Sequence, residues 1–124
     1  MSNVPLETRL RQTVQGYYDA LDRGDVDEIL RDFSGDVLYR RPGYDPITGL
    51  EGLRRYYTAD RMLAPGRHVL RAMVVEDTTV AAHGTYEGEL KDGGRTTVGF
   101  AAFFTFDSGG RIIEQTTYFF TPAI

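Results

Sequence analysis

Tyr17, His68 and Arg41 are the residues whose types and positions could carry chemistry. Tyr17 belongs to a set of apolar positions at helical spacing, Leu6, Leu10, Val14, Tyr17, Tyr18 and Leu21, so it shares their face. A phenol aimed into a domain from that face is either packed core or a hydrogen-bond donor to a ligand. His68 is one of two histidines and opens a strand after Gly66-Arg67. Imidazole titrates near ~6.5, which suits proton transfer at neutral pH; a half-exposed histidine at a strand end is the plainer alternative. Tyr44 and Asp45 fall in a loop, where functional groups are commonly mounted. Asp45 is either a base or a turn former before Pro46.

Other chemistries are disfavoured. The chain has no cysteine, so thiolate nucleophiles, disulfides and Cys-rich zinc sites are excluded. His68 and His83 lack acidic companions at ligand spacing, and no metal is expected. No glycine-rich phosphate loop leads from a strand into a helix, and no cofactor is expected. Ser2, Ser34 and Ser108 lie at a terminus or in turns. A net charge of −4 argues against a nucleic-acid partner. No secretory signal or run of ~20 apolar residues is visible, so a cytoplasmic protein with no membrane partner is expected.

The elements that position these residues read as helices first and strands afterwards. All 124 residues form one domain. Pro5 suits the first turn of the first helix, Gly24 its left-handed stop, and Asp25 with Glu28 a capping box for the second. Ile29, Leu30 and Phe33 give the second helix its apolar side, and Gly35-Asp36 closes it. Val37–Arg41 is a short strand stopped by Pro42-Gly43, and a third helix spans Leu50–Arg61 with Leu53, Tyr56 and Tyr57 as packing residues. Ala64-Pro65-Gly66 breaks it. Four strands follow, Val69–Val75, Thr79–Leu90, Thr96–Phe106 and Ile112–Phe120. Turns at Glu76-Asp77, Lys91-Asp92-Gly93-Gly94 and Asp107-Ser108-Gly109-Gly110 join them as an antiparallel meander, and Thr121-Pro122 ends the last. This order is α+β.

The order, together with Gly24-Asp25-Val26-Asp27, Gly49-Leu50-Glu51-Gly52-Leu53, Asp77-Thr78-Thr79-Val80-Ala81, Phe104-Thr105-Phe106 and Gly110-Arg111-Ile112-Ile113-Glu114, resembles the nuclear-transport-factor-2-like superfamily. The ketosteroid isomerases and SnoaL-like polyketide cyclases within it are the most similar. The resemblance implies a cone: a curved mixed, mostly antiparallel sheet around a long N-terminal helix, with two further short helices and an apolar pocket. It also implies a homodimer through the outer sheet face, where Ala81, His83, Ala101, Phe103, Thr116, Tyr118 and Phe120 would lie. Tyr17 matches the isomerase tyrosine that donates to a substrate oxygen. Arg41 stands where the isomerases carry a carboxylate base, and Ala102 where they carry a protonated acid. Gln115 and Thr117 stand where the cyclases often carry His or Asp, and the Arg–Asp network of limonene-type epoxide hydrolases has no visible match.

Anchored by that resemblance, strand alternation turns Tyr39 and Arg41 inward on the first strand. Tyr86 follows on the second long strand, with His83 and Glu87 outside. Val98, Phe100, Ala102 and Phe104 face inward on the third, and Gln115, Thr117 and Phe119 on the last. A buried Arg41 needs an anion: Asp45, Asp19 or Asp22 at the mouth, or a substrate carboxylate or enolate that its planar fork would clamp. The expectation is a cofactor-free enzyme acting by proton transfer on a hydrophobic oxygenated metabolite, through cyclisation, isomerisation or dehydration. Tyr17, Arg41 and His68 would be catalytic, and Tyr39, Tyr44, Asp45, Tyr86, Phe100, Ala102, Phe104, Gln115, Thr117 and Phe119 would hold the substrate. A non-catalytic binding or accessory protein is the alternative, and an association module a third reading.

Overall fold

The first helix, α1 (Leu6–Arg23), forms where the apolar spacing is densest, and buries Leu10, Val14, Tyr17, Tyr18 and Leu21. Burying a side chain such as Val14 fully contributes ~1.5–3 kcal/mol. The computed structural model describes residues 5–60, 66–89 and 92–120. Leu6 departs from the expected face and is 46% exposed. α1 meets the sheet only further on, where Arg11 donates to the Met73 carbonyl at 2.7 Å. Pro5 is the N-cap, with ψ 152°, and its carbonyl accepts from the Arg9 N–H at 3.1 Å. Gly24 ends α1 at φ 69°, a backbone region that side chains avoid.

Asp25 caps α2 (Val26–Leu30) by accepting from the Glu28 N–H at 3.2 Å. The box is half formed, because the Glu28 carboxylate turns to Arg31 at 3.0 Å. α2 stops at Leu30 and β1 (Phe33–Arg40) begins three residues later. Phe33 and Gly35-Asp36, read as the end of a helix, therefore belong to a strand. The cause is non-local: Phe33 pairs in parallel with Ile112, and a register shift follows before Leu38. Local helical spacing yields to that pairing.

β2 (Ile47–Thr48) is a two-residue strand against β1 with no counterpart in the sequence reading. α3 (Leu50–Arg55) is shorter than expected, and the chain continues as a π-helical turn, Tyr56–Asp60. Leu53, Tyr56 and Tyr57 are all buried. β3 (Arg67–Glu76), β4 (Thr79–Glu89), β5 (Arg95–Phe106) and β6 (Ile112–Phe119) form the antiparallel meander. Arg61, Ala64-Pro65, Leu90, Lys91 and Thr121-Pro122, which carried boundary expectations, lie outside the described residues.

The sheet runs β2-β1-β6-β5-β4-β3, and only the β1–β6 pair is parallel. The result is a mixed α+β fold: a curved, open, mostly antiparallel sheet around α1 with two further short helices. Register sets the concave face in rows: Tyr39, Gln115, Phe104 and Val80 in one, Thr117, Ala102 and Ala82 in the next, and Phe119, Phe100 and Gly84 beyond it. His68 pairs with Tyr86, which pairs with Val98. Tyr17 and Tyr18 pack onto these rows, with ring centroids 5.6 Å and 6.0 Å from Phe104. On the convex face Phe103, Tyr118 and Phe120 are 46%, 55% and 82% exposed. No helix among the described residues is long and apolar enough to cross a membrane.

Candidate functional site

A narrow cavity of about 40 Å³ opens between α1 and the concave face. By a measure in which one water takes ~10–15 Å³, that is room for a few waters. Its lining is aromatic apart from Leu21, four polar positions, Arg41, His68, Gln115 and Thr117, and the phenol oxygens. His68 and Arg41 sit far apart in the strand order, on the edge strand β3 and just past β1, next to the other edge, and both line one space.

His68 is held from three sides by rings, with centroids at 4.8 Å for Tyr86, 5.2 Å for Tyr18 and 5.7 Å for Phe100. Its side chain is 7% exposed. Asp22, in the last turn of α1, lies 2.6 Å from Nδ1 and accepts from the His68 backbone N–H at 3.0 Å and 3.1 Å. A carboxylate so placed accepts a hydrogen bond from Nδ1–H, which favours the tautomer whose acceptor nitrogen is Nε2. Gly88 helps to place this wall: a Cβ there would collide with the Tyr86 phenol. Tyr18 is pushed well above the ordinary phenol value by burial, with Tyr17 and Tyr39 adding to it, so it is a neutral side of the pocket.

The middle of the cavity carries a polar network. Tyr17 and Tyr57 share a hydrogen bond at 2.5 Å between their hydroxyls. Gln115 Nε2 donates to the Tyr17 oxygen at 3.2 Å and to Thr117 Oγ1 at 3.3 Å. Gln115 Oε1 is buried without a partner.

Arg41 closes the other end. Arg40 and Arg41 take opposite sides: Arg40 is exposed and pairs with Glu114 at 3.2 Å, while Arg41 is 7% exposed. Its Nη1 donates to the Tyr56 hydroxyl. The guanidinium carbon stands 4.9 Å, 5.0 Å and 5.7 Å from the ring centres of Tyr44, Phe119 and Tyr56. Burial alone would lower its proton affinity, but the phenols of Tyr56, Tyr39 and Tyr44 outweigh it and hold Arg41 above the ordinary guanidinium value. Nε and Nη2 are buried with no partner. None of the expected rim carboxylates serves it: Asp22 is engaged by His68, and Asp19 and Asp45 are exposed with no ion pair to Arg41.

Of the residues singled out from the sequence, Tyr17, Arg41, His68, Tyr39, Tyr86, Phe100, Gln115, Thr117 and Phe119 line this one cavity. Tyr44 stacks on Arg41 from outside it, and Asp45 is exposed and absent from the lining. Ala102 and Phe104 are wholly buried outside the lining, with Phe104 packed against Tyr17 and Tyr18. Sequence reasoning treated Asp22 only as a partner for Arg41, and Tyr57 only as packing. Asp22 did carry a signal: an acid in the last helical turn opposes the helix dipole by ~0.3–1 kcal/mol, so another interaction must hold it there.

The model of the SnoaL-like domain matches residues 14–115, which include Tyr17, Asp22, Arg41, Tyr57, His68 and Gln115. No curated protein matches the chain. Among solved structures it is similar to SalBIII, an epoxide hydrolase/cyclase-like enzyme in pyran ring formation in the polyether salinomycin. That pair is 18% identical over 92% of each chain, with a TM-score of 0.81. An LEH-like epoxide hydrolase from M. tuberculosis is 19% identical over 90% of this chain and 83% of its own, with a TM-score of 0.77. A ketosteroid isomerase-like protein from Erwinia carotovora atroseptica SCRI1043 is 16% identical over 93% and 96%, with a TM-score of 0.72. At these identities the likeness establishes the fold alone.

Proposed function

The chain belongs to the SnoaL-like domain family, and on that premise we propose that it is a cofactor-free enzyme that moves a proton on a small, hydrophobic, oxygenated metabolite. The reaction would be a cyclisation, isomerisation or dehydration of the polyketide or terpenoid type. The observation that carries this reading is the Asp22–His68 pair, with 2.6 Å between Oδ1 and Nδ1, on the wall of a largely apolar cavity. His68 Nε2 takes the proton, and Asp22 stabilises the imidazolium that results. Tyr17, braced by Tyr57 and Gln115, donates to the substrate oxygen on which negative charge grows. Relatives on this fold include an epoxide hydrolase and an epoxide hydrolase/cyclase-like enzyme, which fits acid–base work in such a pocket.

The test is deuterium exchange next to the carbonyl of small cyclic enones, followed by NMR in heavy water. Catalysed exchange that His68→Gln abolishes is the expected result. Exchange equally fast with the unaltered protein and with His68→Gln would remove histidine from the mechanism.

The alternative is a non-catalytic binding or accessory protein. It is favoured by one observation: the positions where ketosteroid isomerases carry their two carboxyl groups hold Arg41 and Ala102 here. Saturable ligand binding without turnover would decide for it. A homodimer through the convex face is also part of the proposal, because Phe103, Tyr118 and Phe120 expose a cluster of aromatic rings there. Sedimentation at the monomer mass at high protein concentration would remove the dimer.

A further inference from the structure

We propose that the Arg41 end of the cavity is a carboxylate seat, so that the ligand is a short, flat monocarboxylic acid that also carries a hydrogen-bond donor. The inference rests on the proposed function in so far as both place a ligand in this cavity, but it concerns different atoms. Tyr56 engages Nη1 of Arg41, and Nε and Nη2 are left buried without partners. Those two nitrogens form one edge of the guanidinium, and their N–H bonds run parallel. Two carboxylate oxygens match that edge in a bidentate pair.

The chain supplies no substitute. No carboxylate lines the cavity among the described residues, and Asp22 on α1 is bound to His68. The Tyr44 and Phe119 rings, at 4.9 Å and 5.0 Å, fix the guanidinium plane and shield it from water. Ring faces attract a cation but cannot accept at its edge. A buried cation with an unsatisfied edge is a costly arrangement that a ligand anion relieves. Tyr44 and Phe119 are each only half-buried.

The donor follows from Gln115. Its Nε2 is used by Tyr17 and Thr117, and its Oε1 is a buried acceptor with no donor. A ligand hydroxyl fills that position. The cavity of about 40 Å³ limits the size, favouring a short chain over a fused-ring system. A phosphate would carry more charge than a single guanidinium balances.

The experiment titrates the unaltered protein near neutral pH with crotonate and with crotonamide, two probes of one shape, by NMR. Crotonate should bind ~10-fold tighter, the difference between charged and neutral hydrogen bonding. Arg41→Met should erase that preference while leaving the melting temperature equal or higher, since an unpaired buried charge is removed. Gln115→Leu should erase the preference for 3-hydroxybutyrate over butyrate and leave the crotonate preference intact. Equal affinity for acid and amide, no saturable binding of crotonate, or a preference that survives Arg41→Met would each overturn the proposal. The acid–amide comparison needs no variant, so it decides the matter even where Arg41→Met does not fold. Because binding is read rather than turnover, failure of the proton-transfer reading leaves these outcomes unchanged.

Discussion

The two ends of the cavity are built from the same materials and finished differently. At one end His68 is packed among Tyr18, Tyr86 and Phe100, and its Nδ1 meets a carboxylate at 2.6 Å. At the other Arg41 is packed among Tyr44, Tyr56 and Phe119, and two of its nitrogens meet nothing. Where the chain supplies the counter-charge, the nitrogen group is fixed in tautomer and orientation before any ligand arrives, as a base must be. Where it withholds the counter-charge, an edge of the group is left without partners, and the proposed carboxylate would complete it. Under the proposed function the contrast is between a residue that would act on the ligand and one that would hold it.

The most forceful way to break the comparison is to remove the completed end. His68→Gln should reduce proton transfer by ~100-fold or more, the usual size of a general-base contribution. Binding of crotonate at Arg41 should be nearly unchanged. If His68→Gln weakens crotonate as much as it slows exchange, the two ends are not separate.

Asp22→Asn is the next step down. It keeps the shape but replaces the charged acceptor beside His68. A hydrogen bond to a charged group contributes ~1.5–3 kcal/mol, which corresponds to a loss of roughly 10–100-fold in rate. Asp22 acts through His68, so the readout includes the pH–rate profile, whose rising limb should move. A uniform drop with an unmoved profile would assign Asp22 to structure, where its two bonds from the His68 backbone N–H already place it.

The difference between the ends also marks what the sequence could tell. The α1 face, the Gly24 stop and the four hairpin-linked strands rest on local spacing and turn chemistry, and they were legible. The inward sides of β1, β4, β5 and β6 followed once one strand was anchored, because alternation leaves only two choices. Phe33 was not legible, since its strand exists through a partner at Ile112, far along the chain. The π-helical turn that brings Tyr57 to the Tyr17 hydroxyl was hidden for the same reason. Asp22 could be found as an acid in the wrong helical turn, but not its choice of His68 over Arg41. That choice depends on which end of the curved sheet the last turn of α1 reaches.

Tyr17→Phe tests the network between the ends and should have a smaller effect. It removes one neutral donor, worth ~0.5–1.5 kcal/mol net, so turnover should fall by roughly tenfold or less. Tyr57 remains as a second phenol at the same spot. A double variant, Tyr17→Phe with Tyr57→Phe, should cost more than the sum of the singles, because each phenol covers for the other. Strict additivity would show that only one of them faces the ligand.

The smallest effect lies at high pH and concerns Tyr18, which packs on His68 and is perturbed by Tyr17 and Tyr39. Burial holds its pKa well above the ordinary phenol value in the folded protein. An unfolded chain loses this proton near pH ~10, and the folded chain keeps it. Above that pH the unfolded state binds fewer protons, so stability falls as pH rises, by ~1.4 kcal/mol per pH unit for one such group. Below it both states hold the proton and the group contributes no slope. Tyr18→Phe should therefore leave the urea midpoint almost unchanged at pH 8 and flatten its decline in alkali by one proton. An equal decline in both proteins would mean that Tyr18 ionises in place, and that the side of the pocket against His68 is wetter than its packing implies.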